Sequence, residues 1–326
     1  MKVLPAGIVA LGLFALPAYA VIGVDGTLDA DYGPALAVQQ VQTGFGDANP
    51  PGSLGGSELD AGYAKIQNGR LYIMLTGNHE PNFNKLDVFI DSKPGGENTL
   101  TNVPQYDFFN GSTWISQNMA GLSFDTGFTA DYHLFSRWAS GSSPYEVDFV
   151  NRNGGGAAQV PGSTGSSPNA VGLVTAGTIP AGNVGTNASG SALTHNLDFA
   201  INDNNAAGVA GGTGAANTAD AQAVTTGMEF SIDLADLGNP ANGTIINIAA
   251  MINNGDHNYL SNQILGSLPV HGNLGGDGNG GFTGTLGGVH LEQLDGLQYF
   301  SIVVPEPATM SLLIAGLSAL GLRRRS

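Results

Sequence analysis

The dipeptide Asn68-Gly69 stands between two runs, residues 63–67 and 70–76, that carry aliphatic and aromatic side chains typical of strands. Asn-Gly supplies the two consecutive positive φ angles of a two-residue hairpin, so these runs are expected to fold back on each other as antiparallel strands. Leu71, Ile73 and Leu75 then share one face. An alternating run covers residues 85–91, with Leu86, Val88 and Ile90 facing inward and Asp87 and Asp91 facing outward. Ser92-Lys93-Pro94-Gly95-Gly96 ends it. A period of two over this length commits the chain to sheets with one face buried.

The same reading extends along the chain. Strands are expected at residues 35–41, 121–125, 131–138, 145–150, 192–201, 228–234, 245–252, 259–265 and 298–304, with one helical turn at 233–238. Residues 154–190, 206–222 and 272–288 are rich in Gly, Ala, Ser, Thr and Asn and read as long surface loops. Fifty glycines fit this pattern of frequent turns. The expected fold class is all-β: an antiparallel β-sandwich, jelly-roll-like, with long Gly-rich loops and a short hydrophobic helix at the C-terminus.

Both ends of the chain concern location. Met1-Lys2, an apolar stretch over residues 3–16 and the small-x-small site Ala18-Tyr19-Ala20 read as a secretory signal peptide, residues 1–20, cleaved after Ala20. Residues 304–326 contain Pro305-Glu306-Pro307-Ala308-Thr309, an uncharged apolar run and Arg323-Arg324-Arg325. The prolines stop any regular element. The fifteen residues from 308 to 322 reach about 22 Å as a helix, short of a hydrocarbon core of about 30 Å. The three arginines act as a cytoplasmic stop to transfer. This order of parts resembles the PEP-CTERM sorting signal of Gram-negative bacteria. The resemblance implies that exosortase, a membrane transpeptidase-like enzyme, acts on Pro305, Glu306 and Pro307 after export, and that the C-terminal helix holds the chain in the inner membrane until then. Residues 21–303 remain as one ectodomain.

Lys2 and the three terminal arginines account for four of ten basic residues, and Glu306 for one of 26 acidic residues. The rest of the chain therefore carries a formal charge of −19. Such a field repels phosphate backbones and excludes nucleic acid as a partner. The absence of cysteine excludes disulfides and thiolate chemistry. Asp25, Asp29 and Asp31 cluster near the start of the ectodomain and offer oxygen donors of the kind Ca2+ takes. Their spacing is not that of an EF-hand, and aspartate serves equally as a turn residue. No other cofactor is indicated.

The opening Val24-Asp25-Gly26-x-Leu28-Asp29, the strand Leu71-Tyr72-Ile73-Met74-Leu75 and the later Leu86-Asp87-Val88-Phe89-Ile90-Asp91 are similar to DOMON-like and family-nine carbohydrate-binding sandwiches. That resemblance implies an antiparallel sandwich. Residues 102–150 hold eleven aromatic side chains, which either fill the space between two sheets or offer flat faces to sugars. Trp114 and Trp138 are the candidates for stacking on a glycan.

Six scattered histidines show no i,i+4 pair of the kind a zinc hydrolase places on a helix. No nucleophile elbow, phosphate-binding loop or dinucleotide fingerprint stands in a fitting context, and no carboxylate pair is marked out for glycoside hydrolysis. The expected function is therefore non-catalytic. It is that of an exported cell-envelope protein with a structural or adhesive role at the surface or in an exopolysaccharide matrix. Its partners are the export machinery, exosortase and extracellular polysaccharide; the alternative is a carbohydrate-binding module and, behind it, a secreted glycoside hydrolase.

Overall fold

A computed structural model of the chain describes residues 21–45, 56–102, 109–110, 113–139, 145–154, 156–159, 173–185, 188–205, 207–269 and 271–306. The strands are β1 (Ala37–Val38), β2 (Glu58–Gln67), β3 (Arg70–Asn78), β4 (Lys85–Asp91), β5 (Phe109–Asn110), β6 (Thr113–Trp114), β7 (Tyr132–Arg137) and β8 (Glu146–Asn151). They continue with β9 (Ala157–Gln159), β10 (Val174–Ile179), β11 (Leu197–Asn202), β12 (Gly227–Asp233), β13 (Ile245–Asn253), β14 (Leu260–Ile264) and β15 (Phe300–Val303). Two short helices, α1 (Ile115–Met119) and α2 (Thr218–Ala223), lie between them.

Two antiparallel sheets form the sandwich. One has the order β1-β2-β3-β12-β11-β10; the other runs β14-β13-β4-β7-β8-β9, with β15 beside β14 on the same edge of β13. The connections β3→β4, β9→β10 and β12→β13 each carry the chain from one sheet to the other.

The Asn68-Gly69 hairpin forms as expected. Asn68 has φ 52° and Gly69 φ 78°, and β2 pairs with β3 from Gln67↔Arg70 outward. Leu71, Ile73 and Leu75 meet Leu86, Val88 and Ile90 across the interior, with Phe199, Phe230, Ile246 and Ile248 completing the main core. Residues 234–237 make the expected helical turn. The Asp233 carboxylate caps it by accepting from Ala235 N, and Gly238 closes it at φ 82°.

Both outward faces are also covered. On the β3 sheet, Ile22 and Tyr32 lie over Tyr63, Tyr72 and Met74. On the β4 sheet, Ile115, Met119, Leu122, Phe124, Phe128, Leu274, Leu286 and Leu291 roof over Phe89, Phe135 and Met251. This explains why residues 245–252 are nearly continuously apolar, since β13 is buried on both faces from Ile248 onward.

Four expectations are corrected. The strand expected at 35–41 is confined to Ala37–Val38, because Val41 and Thr43 turn away to bridge Ala215 and Gly211. Residues 121–125 supply roof rather than strand: Phe124 packs edge-on against Phe89 with ring centroids 4.9 Å apart. The loop expected over 154–190 contains β9 and β10. The latter is an edge strand with little burial, held by six backbone pairs to β11 that hydropathy does not reveal. The loop expected over 206–222 contains α2, capped by the Asn217 side chain accepting from Ala219 N. The expected C-terminal helix, the signal peptide and its cleavage residues Ala18 and Ala20 lie outside the described residues. Among the described residues no helix is long and apolar enough to cross a membrane.

Candidate functional site

The outward face of β4 carries Lys85, Asp87 and Phe89, and β7 places Phe135 opposite Asp87 and His133 opposite Phe89. Asp87 is expected on the outward face. It faces away from the main core, but the roof closes over it and leaves it 0 % exposed. Alternation fixes which face a residue takes; it does not say whether that face is covered.

Two imidazoles reach Asp87. His133 Nε2 lies 2.9 Å from Asp87 Oδ1, and His257 Nε2 lies 2.7 Å from the same oxygen. His257 comes from the turn after β13 and has φ 54°, a left-handed conformation unusual for a non-glycine residue. That turn is fastened from several sides. Lys85 Nζ donates to Gly255 O at 2.7 Å, Asn118 Nδ2 donates to Asp256 O at 2.6 Å, and His257 N donates to Asn254 O at 3.1 Å. Around the three side chains the surroundings are apolar. Phe89 stacks on His133 at 4.3 Å and 11°, and Phe135 meets His257 edge-on at 5.3 Å.

Burial pushes the Asp87 carboxyl up, but the charge of His257 and the bonds from both imidazoles outweigh it and hold the group below the usual carboxylate range. Burial holds the His257 imidazole down, to about 4, against the pull of Asp87. Asp87 Oδ2 and His257 Nδ1 have no hydrogen-bond partner among the described residues. Among those residues this trio is the one group of three His, Asp or Glu side chains whose donor atoms converge closely enough to hold an ion.

A cleft of about 440 Å³ lies beside it, lined by Asn82, Phe83, Lys85, Ile115, Arg137, Glu146, Gly255 and Asp256. The cations in its wall are already engaged. Lys85 is bound to backbone carbonyls, and Arg137 pairs with Glu146 and Asp148, each at 2.6 Å. Arg137 also lies over the Phe135 ring at 5.6 Å, which connects the cleft to the wall around His257.

The residues singled out from sequence are placed elsewhere. Asp25 Oδ1 accepts from Thr27 N at 2.8 Å and Asp29 Oδ2 from Gly23 N at 3.0 Å, so both serve turns; Asp31 lies in the first turn of a 3-10 segment. The structure does not bring Asp25, Asp29 and Asp31 together as a ligand set. That segment is anchored instead by the buried Glu229, which accepts from Asp25 N, Gly26 N and Tyr32 Oη.

Trp138 is a correction. It is 1 % exposed in the main core and donates from Nε1 to His79 O, so no sugar reaches its face. Its parity marks it, since Tyr132, Leu134 and Trp138 are spaced even numbers of residues apart and all point inward. The side chain of Trp114, the Ca2+ reading aside the other candidate for ligand contact, lies outside the described residues. Of the remaining aromatics, Phe124, Phe128, Tyr132, Phe135, Tyr145 and Phe149 are buried. His133 and His257 escape a sequence reading because they stand on different elements. The available signal was the parity of His133 with Phe135, together with a histidine immediately after the Asn253-Asn254-Gly255 turn.

The C-terminal end of the described chain is firmly held. β15 pairs with β13 through Ile245↔Val303 to Ile248↔Phe300, Val304 N donates to Thr244 O, and Gly243 N donates to Val304 O. Residues 303–326 match the model of the PEP-CTERM protein-sorting motif. The chain is therefore an exported protein of the cell envelope, sorted by way of exosortase, and Pro305 to Thr309 with Arg323 to Arg325 fall inside the matched stretch. No curated protein and no solved structure matches the chain, so the likeness of residues 24–91 to DOMON-like and family-nine carbohydrate-binding domains finds no counterpart there.

Proposed function

We propose that this PEP-CTERM protein is a non-catalytic building element of the envelope, with a structural or adhesive role at the surface or within the exopolysaccharide of a Gram-negative cell. One observation carries the reading: a sandwich roofed on both faces by its own loops runs from its last strand, with only Val304 between, into Pro305. A body joined to its anchor without a spacer has little freedom to search for a distant substrate. A closed body that keeps its shape suits a load-bearing or space-filling part.

On this reading residues 1–20 are removed on export and residues 21–303 form the mature body. Residues 304–326 hold the chain in the inner membrane until exosortase exchanges that anchor for another. The acidic body remains soluble and resists collapse onto anionic surfaces, in keeping with its formal charge.

The experiment is deletion of residues 305–326 followed by fractionation of cells, medium and extracellular matrix. Loss of the protein from the envelope, together with weakened matrix cohesion, supports the reading. Envelope retention equal to that of the intact chain would overturn the sorting step, and an unchanged matrix after complete loss of the protein would overturn the structural role.

A further inference from the structure

We propose that Asp87, His133 and His257 form a binding site for one divalent first-row transition ion of the zinc class, which clamps the turn after β13 to strands β4 and β7.

The first support is convergence. Side chains from three separate elements, with Asp87 and His257 170 residues apart, direct both Nε2 atoms at one carboxylate oxygen, at 2.9 and 2.7 Å. An ion bonded at about 2.0–2.1 Å holds neighbouring donor atoms about 3.0–3.4 Å apart, so each imidazole need draw back from Asp87 Oδ1 by only about 0.1–0.7 Å, and all three donor atoms already lie within 4.8 Å of one another. The second support is what the trio leaves unsatisfied. Asp87 Oδ2 has no partner among the described residues although Asp87 is 0 % exposed. An idle buried carboxylate oxygen is costly unless a charge compensates it. The third is the backbone of His257, whose φ of 54° aims the imidazole inward at the expense of a relaxed conformation.

The donor set selects the ion. Two imidazole nitrogens and one carboxylate suit zinc, iron, cobalt or nickel, whereas Ca2+ and Mg2+ favour oxygen throughout. The apolar shell of Phe89, Phe135 and Met251 excludes water from the ligands and strengthens the electrostatic hold on a cation. Exchange with solvent is offered by the neighbouring cleft, because Gly255 and Asp256 in its wall immediately precede His257. With all three ligands buried, the ion acts as a cross-link between the turn after β13 and the sheet.

The test uses the full chain purified in detergent without chelator. Elemental analysis should find about one equivalent of metal per chain, or find that the EDTA-treated chain takes up about one equivalent of Zn2+ or Co2+. Uptake should raise the thermal midpoint by about 5 °C or more. His257→Ala and Asp87→Asn should each abolish uptake and the thermal shift. A folded wild-type chain that takes up neither ion would overturn the proposal and leave a hydrogen-bonded His-Asp-His cluster. Uptake that persists in both variants would overturn it too, placing the ion on a surface histidine. Should the variants fail to fold, the wild-type Co2+ form decides. Visible d–d bands with paramagnetically shifted signals from two imidazoles support the site, and any other number of imidazoles overturns it.

Discussion

Asp203 Oδ1 accepts the backbone N–H of His79 at 2.9 Å, and both residues are buried at the end of the sandwich where β3 leaves its sheet. Burial raises the Asp203 carboxyl to about 7, while burial lowers the His79 imidazole to about 4. The two therefore pull stability in opposite directions over the same interval. The folded state keeps the Asp203 proton to about pH 7, so that contribution is complete in acid and lost as pH rises. The folded state keeps His79 neutral, so its contribution is complete above pH 6.5 and lost as pH falls toward 4. Asp203→Asn should leave the histidine unopposed. Urea unfolding between pH 4 and 6.5 should then show stability rising with pH more steeply than in the wild type, by about 1.4 kcal/mol per pH unit. Equal slopes for the two proteins would refute this balance.

Trp138→Ala should cost about 3–5 kcal/mol, the usual loss for emptying a large aromatic site in a core. Denaturant midpoints measure it directly. Trp138→Phe should lose less, since it keeps most of the volume but leaves His79 O without its donor.

Arg137 stands between Glu146 and Asp148, with 3 % of its side chain exposed against 6 % for Asp148. Arg137→Ala strands a buried carboxylate and should destabilise the fold by about 3–5 kcal/mol, with little relief from added salt. Arg137→Lys should recover only part, because one ammonium cannot engage two carboxylates as a planar fork does. Unfolding at low and high ionic strength separates this pair from an ordinary surface bridge.

Gly227 begins β12 and pairs with Thr76 on the neighbouring β3, where a Cβ would sit 2.1 Å from Leu75 O. Gly69, at φ 78°, has open space around its Cβ position and is limited only by its backbone angle. Gly227→Ala should therefore cost more than Gly69→Ala, which should lose about 1–2 kcal/mol. The ranking is checked by thermal melts of the two variants, and the reverse order would contradict the close approach of β12 to Leu75 O on β3.

Much of the sandwich was legible because its determinants are local. Asn68-Gly69 announces its turn, and Leu86, Val88 and Ile90 announce their face through spacing alone. The parity that sends Trp138 inward was present as well, although the tryptophan suggested a ligand. What spacing does not carry is the second layer. Whether Asp87 meets water depends on residues 115–128 and 274–291 folding over it, and those stretches have no period of their own. His257 reaches Asp87 only because a turn takes a left-handed angle after a strand whose pairing with β4 sets the register. β10 was hidden for the opposite reason, being held by backbone bonds that side-chain hydropathy does not report.

The attachment of β15 has a mechanical meaning. A pull delivered from beyond Pro305 enters the body at Val304, bonded to Thr244 and Gly243, and passes through β15 to β13, which shares seven paired residues with β4 in the middle of its sheet. Tension along the strand axis loads the four β15–β13 pairs together, whereas tension across it opens them one after another. The body therefore resists such a pull best when its strands lie in line with the force.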